Sequence, residues 1–217
     1  MCTTYTCVLK EGTVVIASSN SDSPVSLTRA AFQRLIPRRQ RQKLSTATQI
    51  AVALFTYFDI NEKLRCMGAD PRNTPIAIFN RYANWDYVAS AMCPDIAVTL
   101  DGVNNYVAIA WFPATIQGFL TIEYGNIGEA ITIASSDIEL QTAAAEGLFA
   151  RDAEGKRVGS LILGTFECIP DHIGGQMVVD AQAGAFGAIS LISADDADDT
   201  IPSAIATHQR MYEHVTA

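Results

Sequence analysis

Lysine and arginine are scarce in this chain: 15 against 23 Asp and Glu in 217 residues, giving a net charge of −8 and a pI near 4.8. That balance argues against nucleic-acid binding, whose affinity comes largely from cations that neutralise phosphates. With 14 glycines and 8 prolines the chain is neither fibrous nor of low complexity. The five cysteines (Cys2, Cys7, Cys66, Cys93, Cys168) form no CxxC pair and have no histidine at metal-ligand spacing. No metal site is expected, and a reducing, cytoplasmic location fits an odd number of scattered thiols. The glycines 174–175 and 184–187 fall outside the GxGxxG and Walker patterns, and no cofactor is expected. Residues 1–5 lack the basic start and apolar core of a signal peptide. The longest uncharged stretch, 102–122, is broken by Asn104, Asn105, Pro113, Gln117 and Gly118, so no membrane span is expected.

What is present is apolar material: 49% hydrophobic and 18% charged residues, enough for one large core. No linker divides the chain, and a single domain over 1–217 is expected. Charge is unevenly spread. Residues 1–108 hold 11 Lys/Arg and 8 Asp/Glu, whereas 109–217 hold 4 and 15.

Residues 4–9 and 13–17 read as a β-hairpin turning at Gly12. Helical spacing follows over 27–35, and after Pro37 a second helix over 44–58 starts at Ser45 or Thr46 and is apolar all round, as buried helices are. Residues 75–80 (PIAIFN) read as a central strand and 103–110 as another, followed by a helix over 114–124. A strand over 129–134, a helix over 137–149, a strand over 159–168 and a terminal helix over 202–215 complete the order. The alternation predicts an α/β fold with a mostly parallel central sheet covered by helices.

Nucleophiles in such folds are presented where a strand runs into a helix, because the helix start stabilises negative charge. The expected junction is 108–118, where Thr115 is the hydroxyl at the helix start. Neither Cys nor Ser occupies that turn. Thr115 reads equally as a cap.

The segments RRQRQKLSTATQIAVAL (38–54), PIAIFN, the junction helix, GEAITIASSD (128–137) and RDAEGKRVGSLILGTFE (151–167) follow in an order that resembles the N-terminal half of a β-ketoacyl synthase. They are similar in particular to the short ketosynthase-like proteins of aryl polyene-type clusters. The resemblance implies a layered thiolase-like half. A working synthase of that family carries a thiolate at the junction and two basic side chains, usually histidines, from its second half. Here the family's cysteine would fall between Trp111 and Thr115, and the three histidines (His172, His208, His214) all come late.

The resemblance therefore implies a non-catalytic subunit, like a chain-length factor, with no activity expected alone. Such a subunit pairs with a full-length ketosynthase in polyketide, polyene or fatty-acid-type biosynthesis. Trp111, Phe112, Thr115 and Gly118 would line the pocket or interface, unless the two aromatics are ordinary core residues. The pairing surface would lie around 104–118, and Ala108→Arg would disrupt the heterodimer. Six cations crowd residues 29–43, and of these Arg34, Arg38, Arg39 and Arg41 offer a docking patch for an acidic acyl carrier protein. A solvated helix face reads the same way.

A second reading starts at Met1-Cys2-Thr3-Thr4, which resembles the start of N-terminal-nucleophile amidohydrolases of the choloylglycine hydrolase type. There Cys2, freed by removal of Met1, would be the nucleophile and its own amine the base. The arginine that family places shortly before its Asp is missing, since Ser18 and Ser19 stand there.

Overall fold

The computed structural model describes residues 2–10, 12–21, 23–41, 43–91, 105–110, 112–169, 172–173, 176–177 and 184–216. The chain opens as expected with the hairpin β1 (Thr3–Lys10) and β2 (Thr13–Ser18), whose register sets Lys10 opposite Thr13. Gly12, at φ +82°, takes the left-handed turn position that a side chain would strain. A short β3 (Val25–Leu27) and α1 (Arg29–Arg34) follow, the helix capped by Thr28.

The apolar helix is α2 (Thr46–Phe58). Ser45 caps it, accepting the Thr48 N–H, and residues 47–55 are buried except for half-buried Gln49. It ends on Asp59, at φ +46°, which in turn caps α3 (Ile60–Cys66) by accepting from Glu62 N. Then come β4 (Ile76–Asn80), α4 (Trp85–Ala91), α5 (Asn105–Ala110), α6 (Thr115–Tyr124), β5 (Ala130–Ala134) and α7 (Ile138–Gly147). Two short strands, β6 (Ala150–Arg151) and β7 (Arg157–Val158), form a small hairpin before β8 (Ser160–Ile169). Another, β9 (His172–Ile173) with β10 (Gln176–Met177), precedes β11 (Gly184–Ser193), and α8 (Ala197–Thr216) ends the chain.

Seven strands make one sheet in the order β3-β2-β1-β11-β8-β4-β5. The layered α/β architecture is the expected one, but the strand directions are not. Only β4 runs parallel to its neighbours β5 and β8, while β1, β2, β3, β8 and β11 join antiparallel. The mostly parallel sheet is therefore corrected to a mostly antiparallel one. The opening hairpin adds its strands beside β11, and β11 returns antiparallel next to β8. Both central strands are buried along nearly their whole length, as strands covered on two faces must be.

One core lies between the sheet and α2 with α6, and contains Ile50, Leu54, Ile76, Ile78, Ile116, Leu120 and Phe166. A second lies under α7 and α8, with Phe79, Leu161, Leu163, Ile201 and Ile205. Pleating sends Ile76 and Ile78 to the first and Ala77 and Phe79 to the second. The first core leaves no room at Gly187, where an added Cβ would stand 2.5 Å from Ile50 Cγ2 and 2.9 Å from Phe166 Cδ1. Both neighbours are fully packed, so Gly187→Ala is expected to cost about 1–3 kcal/mol in urea unfolding. A variant as stable as the parent would show that the core yields there.

Residues 105–110 form a helix, not the expected strand. The run NYVAIA is too short for its apolar pattern to decide between the two, and of its described side chains Val107 is buried while Ile109 is exposed. The acidic residues Asp198 and Asp199 stand in the first turn of α8, where the helix dipole favours them.

Candidate functional site

Because 105–110 is helical, the turn at 112–114 joins two helices, and the expected strand-to-helix junction is not there. Thr115 is the first residue of α6, and its hydroxyl donates to Ile109 O rather than capping the helix. Phe112 is 65% exposed, so it is not a core aromatic. Gly118 is half-buried, with nothing within 4 Å of an added Cβ. Trp111 lies outside the described residues.

A parallel strand that does run into a helix through a short turn is β5. Its carboxyl end passes through Ser135 and Ser136 to Asp137, which caps α7 by accepting from Glu139 N at 2.9 Å and Leu140 N at 3.1 Å. The junction residues are thus two hydroxyls and a carboxylate, with no thiol. Buried Gln141 fixes the turn: its Nε2 donates to Ser135 O, and its Oε1 accepts from Gln209 Nε2 on α8 at 3.2 Å. Gln209 accepts from Arg81, just past β4, whose guanidinium lies 4.1 Å from the centroid of the Tyr212 ring. Tyr212 donates to Glu167 on β8. One polar chain so links the carboxyl ends of β5, β4 and β8, where α/β folds place their sites.

Glu167 is fully buried and accepts from three successive backbone N–H groups, of Arg81, Tyr82 (2.9 Å) and Ala83 (2.5 Å), besides Tyr212. Burial pushes its pKa up to about 7, and the four donors oppose that rise. On the same loop Asn84 accepts from Ser45 and Thr48, and in the first turn of α4 Asp86 hydrogen-bonds Thr46 at the start of α2 and the Cys168 thiol. Burial raises both Asp86 and Cys168. Two long-range carboxylates therefore hold the exit loop of β4. A cleft of about 390 Å³ opens at the opposite ends of these strands, between Asn73, Glu129, Phe149 and Ser160, away from this chain of polar groups.

A second buried network contains His208. Its Nε2 lies 3.0 Å from Ser190 Oγ and its Nδ1 3.1 Å from Thr165 Oγ1, and Ser190 meets Thr4 at 2.8 Å. Cys2, half-buried, is hydrogen-bonded to Thr4 and Ser190, and burial raises its pKa. A nucleophilic cysteine needs the opposite shift.

Of the basic cluster, Arg34, Arg38 and Arg39 are exposed, whereas half-buried Arg41 donates from Nε to Ile36 O at 2.9 Å and braces the turn after α1. Among the described residues no helix is long and apolar enough to cross a membrane, and no three His, Cys, Asp or Glu side chains gather to hold a metal ion.

No family model and no curated protein matches the sequence. Solved structures do match. The chain superposes on a chain of a ketosynthase (ApeO) in complex with its chain length factor (ApeC) from Xenorhabdus doucetiae. That match has TM-score 0.56 and 13% identity over 87% of this chain and 76% of the other. The fold is the thiolase-like fold of the ketosynthases. A chain of the complex AntDE:AntF, a type II polyketide synthase acyl-carrier protein with its ketosynthase bound to the hexaketide, matches at TM-score 0.53 and 18% identity. There 77% of this chain covers 51% of the other, so this chain spans about half of that chain's length. The N-terminal-nucleophile reading finds no support in these likenesses.

Sequence reading missed three features of the site: the β5–α7 junction, the Glu167 carboxylate and the His208 network. The first had a signal, since EAITIA runs straight into SSD and an apolar helix.

Proposed function

We propose that the chain is a chain-length-factor-like subunit that pairs with an active ketosynthase in polyketide, polyene or fatty-acid-type biosynthesis. The observation that carries this reading is where the apolar surface lies. Six of the ten large hydrophobic side chains exposed among the described residues fall between 109 and 140: Ile109, Phe112, Ile122, Ile127, Ile138 and Leu140. Ile122 is 84% exposed and Ile127 69%. Ile127, Ile138 and Leu140 lie just before and after β5 in the chain, and Ile122 stands on α6, which packs against it; among the described residues β5 pairs only with β4 and ends the sheet. An open edge bordered by exposed apolar side chains is a surface made to be covered.

The absence of a thiol at the β5–α7 junction supports a non-catalytic role, because acyl transfer in a ketosynthase starts with a thiolate. The partner would supply that group. On this reading the pairing surface lies around β5, with α6 beside it. Exposed Arg34, Arg38 and Arg39, which make no ion pair among the described residues, supply the charge to dock an acyl carrier protein. Arg41, held by Ile36 O, contributes less than its charge suggests.

Co-expression with a candidate ketosynthase tests the reading. The two chains should elute together in a fixed ratio, and Ile122→Asp should weaken the complex at least ~tenfold while leaving the fold intact by circular dichroism. Elution of this chain by itself in the presence of that ketosynthase would refute the pairing.

A further inference from the structure

Residues 82–150 run for 69 positions without one Lys or Arg, and they carry eight Asp and Glu. The same stretch supplies β5 and the six exposed hydrophobics named above, of which Ile127, Ile138 and Leu140 adjoin β5 in the chain. Within it Glu123, Glu129, Asp137 and Glu139 are exposed, and none of the four joins an ion pair among the described residues. Glu123 accepts from Gln40, and Asp137 caps α7. Arg72 approaches through its carbonyl, which accepts from Ile127 and Gly128. The open edge of the sheet is therefore apolar along its length and acidic at both ends.

A closed pair of identical chains must be isologous, with each patch meeting itself. For two β5 edges that means antiparallel pairing about Thr132. Glu129 of one copy then comes to the end where the other carries Asp137 and Glu139, and the conflict occurs twice by symmetry. Like charges facing across a strand pair or an interface oppose association. The apolar flank would glue two copies together, and the carboxylates prevent it.

We infer that the β5 edge is charged to refuse a second copy of this chain and to accept a strand edge flanked by Lys or Arg side chains. This rests on the reading of β5 as the pairing edge and adds the chemistry of what fits there. Selection between identical and different partners is then made by repulsion as well as by fit.

The test needs this chain alone. Glu129→Lys places a cation where the symmetry-related Asp137 and Glu139 arrive, so one substitution turns both repulsive ends into attractive ones. Glu139→Lys does the same from the other end. Sedimentation equilibrium at low ionic strength should show a monomeric parent and at least ~tenfold stronger self-association for each variant, weakening as salt is added. Glu154→Lys, an equal change of charge on the exposed turn between β6 and β7, should stay monomeric. A parent that already dimerises at low salt would overturn the inference while leaving β5 as a pairing edge. Variants as monomeric as Glu154→Lys would overturn it and also remove β5 from the pairing surface.

Discussion

Replacing Glu167 with Ala should remove about 3–5 kcal/mol of folding stability, a large part of the ~5–15 kcal/mol that a domain possesses. The side chain is the shared acceptor of three backbone N–H groups and the Tyr212 hydroxyl. Without it those buried donors have no acceptor, and stranded donors cost more than the bonds themselves were worth. The loop after β4 and the last turns of α8 would loosen together, because Glu167 is their common anchor. Urea unfolding of the purified variant measures the loss, and a change below about 1 kcal/mol would mean that the loop is held by Asn84 and Asp86 instead.

Glu167 also predicts a pH dependence. Its pKa rises from an ordinary 4.5 to about 7, so the folded chain holds this proton more tightly than the unfolded chain does. The stability it lends is complete below 4.5 and is lost as pH rises through 7. Glu167→Gln, which cannot titrate, should flatten that alkaline limb.

How far residues alone reveal this molecule depends on whether the cause is local. Ser45 before an apolar helix, PIAIFN between turn residues and Gly12 at a hairpin are local signals, and α2, β4 and the β1–β2 turn follow from them. Strand direction is not local. The run GSLILGTFEC announces a buried strand, but nothing in it says that β11 will return beside it antiparallel. Likewise EAITIASSD contains the strand, the turn and the cap, yet the choice of 108–118 over this junction rested on reading NYVAIA as a strand. Glu167 and His208 were hidden for the same reason. Their partners lie 84 to 86 residues away in the loop after β4 for Glu167, and 18 and 43 residues away for His208. The basic cluster was visible from composition, but only the fold separates Arg41, tied to the backbone, from its exposed neighbours.

Glutamine in place of His208 is expected to flatten the acid limb of the stability profile. The imidazole is buried between two hydroxyls, Ser190 on β11 and Thr165 on β8, and burial lowers its pKa from 6.5 to about 3. Neither hydroxyl supplies a negative charge to support an imidazolium. The unfolded chain takes up this proton as pH falls below 6.5 and the folded chain does not, so stability is complete above 6.5 and is lost as pH falls through 3. Between 4.5 and 6.5 the opposing demands of Glu167 and His208 nearly cancel, leaving a plateau that falls away on both sides. Urea midpoints from pH 3 to pH 8 would trace it. With Gln, which can keep one hydroxyl contact through its carbonyl and another through its amide, the loss below pH 4.5 should disappear, and stability should instead rise as pH falls from 7 to 4.5 under Glu167 alone. An unchanged acid limb would show that other groups set it and that His208 serves only to bridge the two strands.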